Sequence, residues 1–455
     1  MNSSSTNRVK VESSGTGVAA HVGLHALGQL ADHLELGALL SARVAPTGER
    51  LPLHQRGKVI TQLALVLAGG GDSCADIEHL RIQEELFGSV PSDTTVFRTM
   101  HEFDAAQRSE LMLGVGEVRA KVWKKLDTDP TKPVILDFDA SLVEVESENK
   151  QQAAPTYKGG YGFHPIFVFC DLTGETLAAK LRPGNAGANT VADHVEVFDA
   201  ALAQLPANVA VGHHVGDDPA LDVRQVIARA DGAGCTDGFM KACRQRNVQF
   251  SVTVRSNAQL SSAIVRVSTN KRVWRRALTQ KGERRPGAEV TEVTDLLDLS
   301  GLPEGTRCVI RREPLHPGAQ RSLFPSLDYR YWGFYTDCEG TPVALDQQMR
   351  AHAHVEQHIQ RLKESGLCSM PFTNFEANAT WLVTIALASD LVRWFQLLCL
   401  SGEWRNVRPK RLRWEIWHAP GRLVYSARQV VVRLLDGWPG ADQLLHAYKN
   451  IAALS

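Results

Sequence analysis

VILDFDASLVEV, residues 134–145, is a strand-forming run with two acids in its middle. Val, Ile, Leu and Phe at this density suit a pleated, largely buried strand. Asp137 and Asp139 stand two residues apart, so on a strand both project from one face. A carboxylate inside an apolar strand is costly unless it is paired, hydrogen-bonded or bound to a metal. These two acids are therefore the first candidates for chemistry.

Downstream the pattern continues in strands and helices. GFHPIFVFCD (162–171) reads as a second strand with Pro165 near its start, and ETLAAKL (175–181) as a third, with a turn at Thr173-Gly174. A helix is predicted over 190–205, a strand over 223–230, a helix over 236–246 and a strand over 248–254. Three strands in a meander, then helix, strand, helix, strand is the element order of the RNase H-like α/β fold, although other α/β folds begin alike. Asp231, in IARADGAG, directly follows the fourth strand and opens a glycine-containing turn. Residues 256–344 read as a β-rich insertion, with RCVIRREPL and YRYWGFYTD as its clearest strands. A long polar helix over 345–365 carries Glu356 in LDQQMRAHAHVEQHIQRLK, and an apolar helix covers 375–400.

Upstream, 19–126 reads as a helical domain. Ser92 or Asp93 is placed to cap a helix bearing Arg98, which reads either as a recognition helix for DNA or as a packed bundle helix. DTDPTKP (127–133) marks a boundary, and the core is expected to run over 133–255 and resume over 345–400. Residues 1–18 are Ser/Thr/Gly-rich without the apolar segment of a signal peptide, and read as a disordered tail.

The 455 residues are 44% hydrophobic and 22% charged, a soluble globular balance that allows two or three domains. No run of eighteen apolar residues appears, so no membrane span is expected. Eight cysteines without a CxxC pair suit a reducing, cytoplasmic setting. Fifty basic and fifty acidic residues cancel overall, but not locally. The C-terminal region 401–455 holds Arg405, Arg408, Lys410, Arg411 and Arg413, and Trp404, Trp414 and Trp417 are interleaved. A second basic stretch, Lys271 to Arg285, contains Arg275, Arg276 and Trp274. Either stretch can neutralise phosphates or form a solvated face.

Asp at strand ends and Glu on a packed helix can supply the oxygen ligands that paired Mg2+ ions need, about 3.5–4 Å apart. Spacing alone leaves each acid open to a plain surface role. Lys158 opens a glycine-rich KGGYGFHP run that lacks Walker spacing and suits a tight hairpin close to DNA. His164 reads as a phosphate ligand or a core hydrogen-bonding group. Asn185 and Asn189 read as turn and cap residues or as DNA contacts. His213-His214 with Asp217-Asp218 fits no strong metal motif. No GxSxG elbow and no GxGxxG after a strand appears, which removes support for a hydrolase or a dinucleotide site.

LDFDASLVEVESENKQQAAPTYKGGYGFHP, LRPGNAGANT, ARADGAG and the helix ending VEQHIQRLKESG, in that order, together resemble bacterial insertion-sequence transposases of the DDE superfamily. The nearest branch is the insertion-sequence thirteen-eighty family, a relative of the insertion-sequence-four group. The resemblance implies Asp139, Asp231 and Glu356 as catalytic, metal-binding acids, with Asp137 as a supporting group or as the true ligand if the register shifts. It implies two Mg2+ ions, with Mn2+ as a substitute. Lys363 stands seven residues after Glu356, as relatives have it; His352 and Met349 replace the Arg and Tyr of their pattern. On one continuous helix, 349, 352, 356 and 363 would share a face, with Arg350 or His354 compensating for the lost Arg. The implied partners are terminal inverted repeats and target DNA, held through Arg98, Lys158, Arg275, Arg276, Arg350, Arg408, Lys410 and Arg411. The implied setting is a synaptic homodimer at the bacterial nucleoid, with no membrane. A structure-selective nuclease on the same fold, or an idle DNA-binding protein, are the alternatives.

Overall fold

Alternation along the acid-bearing run buries Val134, Leu136 and Phe138 on one side and turns Asp137 and Asp139 to the other. The run forms β1 (Val134–Ala140). The computed structural model describes residues 12, 15–45, 53–126, 128–221, 224–315, 328–426 and 429–454. It places β1 inside a nine-stranded mixed sheet. On one side, β2 (Ile166–Cys170) and β3 (Thr176–Lys180) complete an antiparallel meander. On the other, β4 (Val226–Ala230) and β5 (Gln249–Thr253) run parallel to β1. The order across these five is 3-2-1-4-5.

Two expected strands are shorter than their apolar runs. The first stops at Ala140, and Val143 and Glu144 pair instead with Phe163 and Gly162 in a separate small sheet. Pro165 lacks an N–H, and the second run divides there into Tyr161–Phe163 and β2.

The β-rich insertion does not stand apart. Its strands β6 (Arg275–Leu278), β7 (Arg284–Glu292), β8 (Arg307–Pro314) and β9 (Tyr329–Thr336) form a meander. Phe334, Tyr335 and Thr336 of β9 pair with Thr253, Val252 and Ser251 of β5. The open edge of β5 thereby gains a partner, and the sheet continues outward.

Helices cover both faces. The N-terminal group is α1 (Val22–His33), α2 (Leu36–Arg43), α3 (Arg56–Gly69), α4 (Asp93–Glu102) and α5 (Ala105–Lys125). Ser92 caps α4 by accepting from the Thr95 N–H, and Asp104 with Gln107 forms a capping box on α5. Then come α6 (Val191–Leu202), α7 (Asp237–Arg244), α8 (Ala258–Ser268), α9 (Pro342–Arg350), α10 (Val355–Leu362), α11 (Phe375–Cys399) and α12 (Ala441–Ala453). Phe198 of α6 and Phe239 of α7 pack on Phe138 beneath one sheet face. On the other face Phe167 and Phe169 meet Ile359, Leu362 and Trp394, in a core that also takes in Leu27, Leu63, Trp381 and Trp417. The N-terminal helices, α11 and the C-terminal region thus share one interior.

Helix α11 is long and apolar enough by composition to cross a membrane, but 89% of its most apolar window is buried inside the protein. It is the central helix of that core. A charged cluster without solvent exposure ties it to its neighbours. Arg119 of α5 donates to Glu175 (2.8 Å) and to Asp390 of α11 (2.6 Å). The indoles of Trp123 and Trp394 also donate to Glu175, each at 2.7 Å.

Candidate active site

Asp139 lies near the end of β1, and Asp231 is the first residue after β4. The parallel register pairs Phe138 with Ala230, so the two acids leave neighbouring strands side by side, with the strands about 4.8 Å apart. Each carboxylate is turned by a local backbone donor: the Ala140 N–H to Asp139 at 2.7 Å, the Ala233 N–H to Asp231 at 2.8 Å. Burial pushes the Asp139 carboxyl up to about 6, and the charge of Asp231 adds to the rise, against the Ala140 N–H and His352.

Asp137 shares the strand face but not the situation. It is fully buried, and Arg229 of β4 grips both its oxygens, at 2.8 and 2.6 Å. His352 donates to it at 2.7 Å. Burial works against the charge, but the bonds from His352 and Arg229 outweigh it and hold the carboxyl below its ordinary value. Arg229 also donates to the Gln348 carbonyl and approaches Asp171 at 3.3 Å, while His354 bonds Asp171 at 3.1 Å. The segment between α9 and α10 is therefore pinned to β1, to β4 and to the end of β2.

Glu356 is the second residue of α10, exposed, one turn beyond His352. The expected single helix is interrupted: a 3-10 turn over Ala351–His354 joins α9 to α10, and a π turn starts at Lys363. Tighter winding rotates the side chains, so Met349 is buried while Glu356 and Lys363 face solvent. The four positions thus differ in exposure, with His352 half-buried between them. Among the described residues, no group of three or more His, Cys, Asp or Glu is placed to hold a metal ion. What the fold does assemble is an acid pair, Asp139 with Asp231. Oxygen-only and mutually repelling, with Asp139 half-buried and Asp231 exposed, it suits a hard divalent cation, with Glu356 one turn from the His352 anchor.

The family model for the transposase DDE domain, group 1, matches residues 1–455. The chain belongs to that family. No curated protein matches it. The piggyBac transposase, solved by cryo-EM as a synaptic complex with hairpin DNA, is similar at 10% identity with a TM-score of 0.40, over 87% of this chain and 79% of that one.

In this DDE transposase the predicted DNA contacts divide by their surroundings. Arg98, Lys158, Arg275, Arg276, Arg408 and Lys410 have exposed side chains. Arg350 is engaged instead with Asp346 at 2.9 Å and with the Leu278 carbonyl, joining α9 to β6. Arg411 bridges Glu403 and Glu415 and lies over the Trp404 ring. Trp417 of the basic C-terminal stretch is a core residue, as is Trp394 of α11, whereas Trp414 is exposed. His164 bonds the Ala186 carbonyl at 3.2 Å, and Asn185 and Asn189 are exposed on that loop. His213 presents both ring nitrogens to backbone carbonyls, and His214 pairs with Asp217. Sequence reasoning passed over Arg229. Its signal was available: a guanidinium inside the apolar strand VIARA needs a buried acid, and Asp137 was the nearest candidate.

Proposed function

We propose that this chain is a bacterial insertion-sequence transposase of the thirteen-eighty type, with Asp139, Asp231 and Glu356 as its catalytic acids. The observation that carries the reading is the Asp139–Asp231 pair at the ends of adjacent parallel strands. The 3-2-1-4-5 strand order supports an RNase H-like core. Glu356 is the third acid, on a helix whose entry is fixed to β1 by the His352–Asp137 bond. Asp139 and Asp231 would hold Mg2+, which when bound supplies a deprotonated water and charge neutralisation at the scissile phosphate; Glu356 stands one turn beyond the His352 contact that fixes its helix to β1.

The chain's own residues bind and align the DNA. Arg98, Lys158, Arg275, Arg276, Arg408 and Lys410 hold phosphates and so set register rather than sequence. Water displaces the 3′-oxygen at a transposon end. The freed 3′-hydroxyl then displaces a target 3′-oxygen in a second in-line step, so the number of phosphodiester bonds is conserved in joining. Two copies pair two ends in the synaptic complex, at the bacterial nucleoid.

The test incubates repeat-ended DNA, a target plasmid and Mg2+ with wild type and with Asp139→Ala, Asp231→Ala and Glu356→Ala. Each variant is expected to lose cleavage and joining. Strand transfer retained by all three would overturn the site, and wild type that cuts without ever joining would make the protein a nuclease.

A further inference from the structure

The turn between β2 and β3 is surrounded by positive charge that no carboxylate bonds. A methyl group placed on Gly174 at its tip would lie 2.7 Å from Arg361 Nη1, 3.2 Å from Arg393 Nε and 3.2 Å from His358 Cε1. Basic side chains from α10 and α11 thus converge on one point. Their hydrogen bonds go to neutral acceptors. Arg361 Nη1 donates to His358 Nδ1 at 3.0 Å. Arg393 donates to the carbonyls of Thr173 (2.9 Å) and Arg405 (2.8 Å) and to the Gln396 amide oxygen (2.8 Å).

Nearby acids are committed elsewhere. Glu175 accepts from Arg119, Trp123 and Trp394; Asp390 accepts from Arg119 and the Thr176 N–H. Glu364 accepts from Gln360 and the Lys410 N–H. Burial and the charge of Arg361 pull Arg393 down to about 9, although Glu175 and Asp390 oppose this. Among the described residues, neither Arg361 nor Arg393 forms an ion pair.

His358 adds a donor to the cluster. Its Nδ1 accepts from Arg361, so the ring proton sits on Nε2. The residue is 6% exposed, and Nε2 has no hydrogen-bond partner. A buried N–H donor beside two guanidinium groups calls for an acceptor, and the charges call for an anion. The rim is open: Arg361 is half-buried and Arg405 exposed.

We propose that Arg361, Arg393 and His358 form a binding site for a phosphate group at the β2–β3 turn. The Asp171 N–H bonds the Ile135 carbonyl, which puts the turn at the opposite end of β1 from Asp139, about 13 Å along the strand. The site is therefore separate from the acid pair, and it stands whether or not the proposed reaction does. Its phosphate comes either from a DNA backbone or from free inorganic phosphate; the guanidinium fork suits both.

The experiment compares full-length wild type, R361M and R361K without magnesium, by melting temperature in chloride buffer with and without inorganic phosphate. In parallel it measures duplex DNA affinity against salt. Phosphate is expected to raise the wild-type melting temperature by several degrees, an effect R361M loses and R361K keeps in part. In phosphate-free buffer R361M is expected to be at least as stable as wild type, because a half-buried cation without an ion pair has gone. A phosphate response with unchanged DNA affinity identifies free phosphate as the ligand. A several-fold loss of DNA affinity and a shallower salt slope in R361M identify the backbone. An R361M protein less stable than wild type in chloride overturns the proposal, because Arg361 then serves the fold. So does a wild type that responds to neither probe through Arg361.

Discussion

Replacing Asp139 by Asn is expected to stabilise the metal-free protein while abolishing its activity. Burial and Asp231 raise the Asp139 carboxyl from an ordinary value near 3.8 to about 6. At about 1.4 kcal/mol per unit, a rise of roughly two units destabilises the charged folded form by at most about 3 kcal/mol. The carboxylate is partly open to solvent, so about 1–2 kcal/mol is the working figure. The folded pKa lies above the unfolded one, so the folded state holds the proton more tightly. The penalty is absent below about pH 4, grows between about pH 4 and pH 6, and is complete above that. Asn keeps an acceptor for the Ala140 N–H, so removing the charge is the main change. Urea denaturation at about pH 4 and about pH 8 reads the difference: no gain at the first, the full gain at the second. Magnesium titration at the higher pH is expected to stabilise wild type by mass action and to leave the variant unmoved. A variant less stable than wild type at about pH 8, or one that magnesium stabilises equally, would refute the acid-pair reasoning.

Four further variants test the packed contacts and one exposed cation. Arg119→Met leaves Glu175 and Asp390 buried without their cation and is expected to lower unfolding stability by about 3–5 kcal/mol in urea. Burial already raises Asp390 to about 7, and losing Arg119 raises it further, so the deficit should deepen with rising pH; a flat profile would contradict a charged cluster. Asp137→Ala leaves Arg229 only the longer contact to Asp171 and is expected to lower stability by at most about 3–5 kcal/mol and slow DNA cleavage at saturating DNA; unchanged denaturation curves would remove its anchoring role. Arg408→Ala is expected to reduce the salt slope of DNA binding by about one phosphate contact with stability unchanged, whereas Arg350→Ala should lower the melting temperature instead; the reverse pattern would show that Arg350 faces DNA.

Much of the framework was legible in the chain before any tertiary contact was known. The strand character of 134–140, the shared face of Asp137 and Asp139, the meander that follows, and a helix start at Ser92 or Asp93 all rest on interactions within a few residues. Backbone sterics and the two-residue side-chain period act locally, so they can be read from a line of letters. The motif order likewise pointed to the DDE transposase family to which the chain belongs. Tertiary structure decided what those letters left open. Asp137 and Asp139 look alike on the strand; Arg229 and His352, about ninety and over two hundred residues away, occupy the first and leave the second beside Asp231. The Trp residues of the basic C-terminal stretch look alike too, yet Trp417 is core and Trp414 is surface. The pairing of β9 with β5 and the break in the helix before Glu356 depend on packing between distant segments. A carboxylate's role is set by the charges and donors that surround it in space, and those neighbours are chosen by chain folding over distances at which local sequence pattern carries no information.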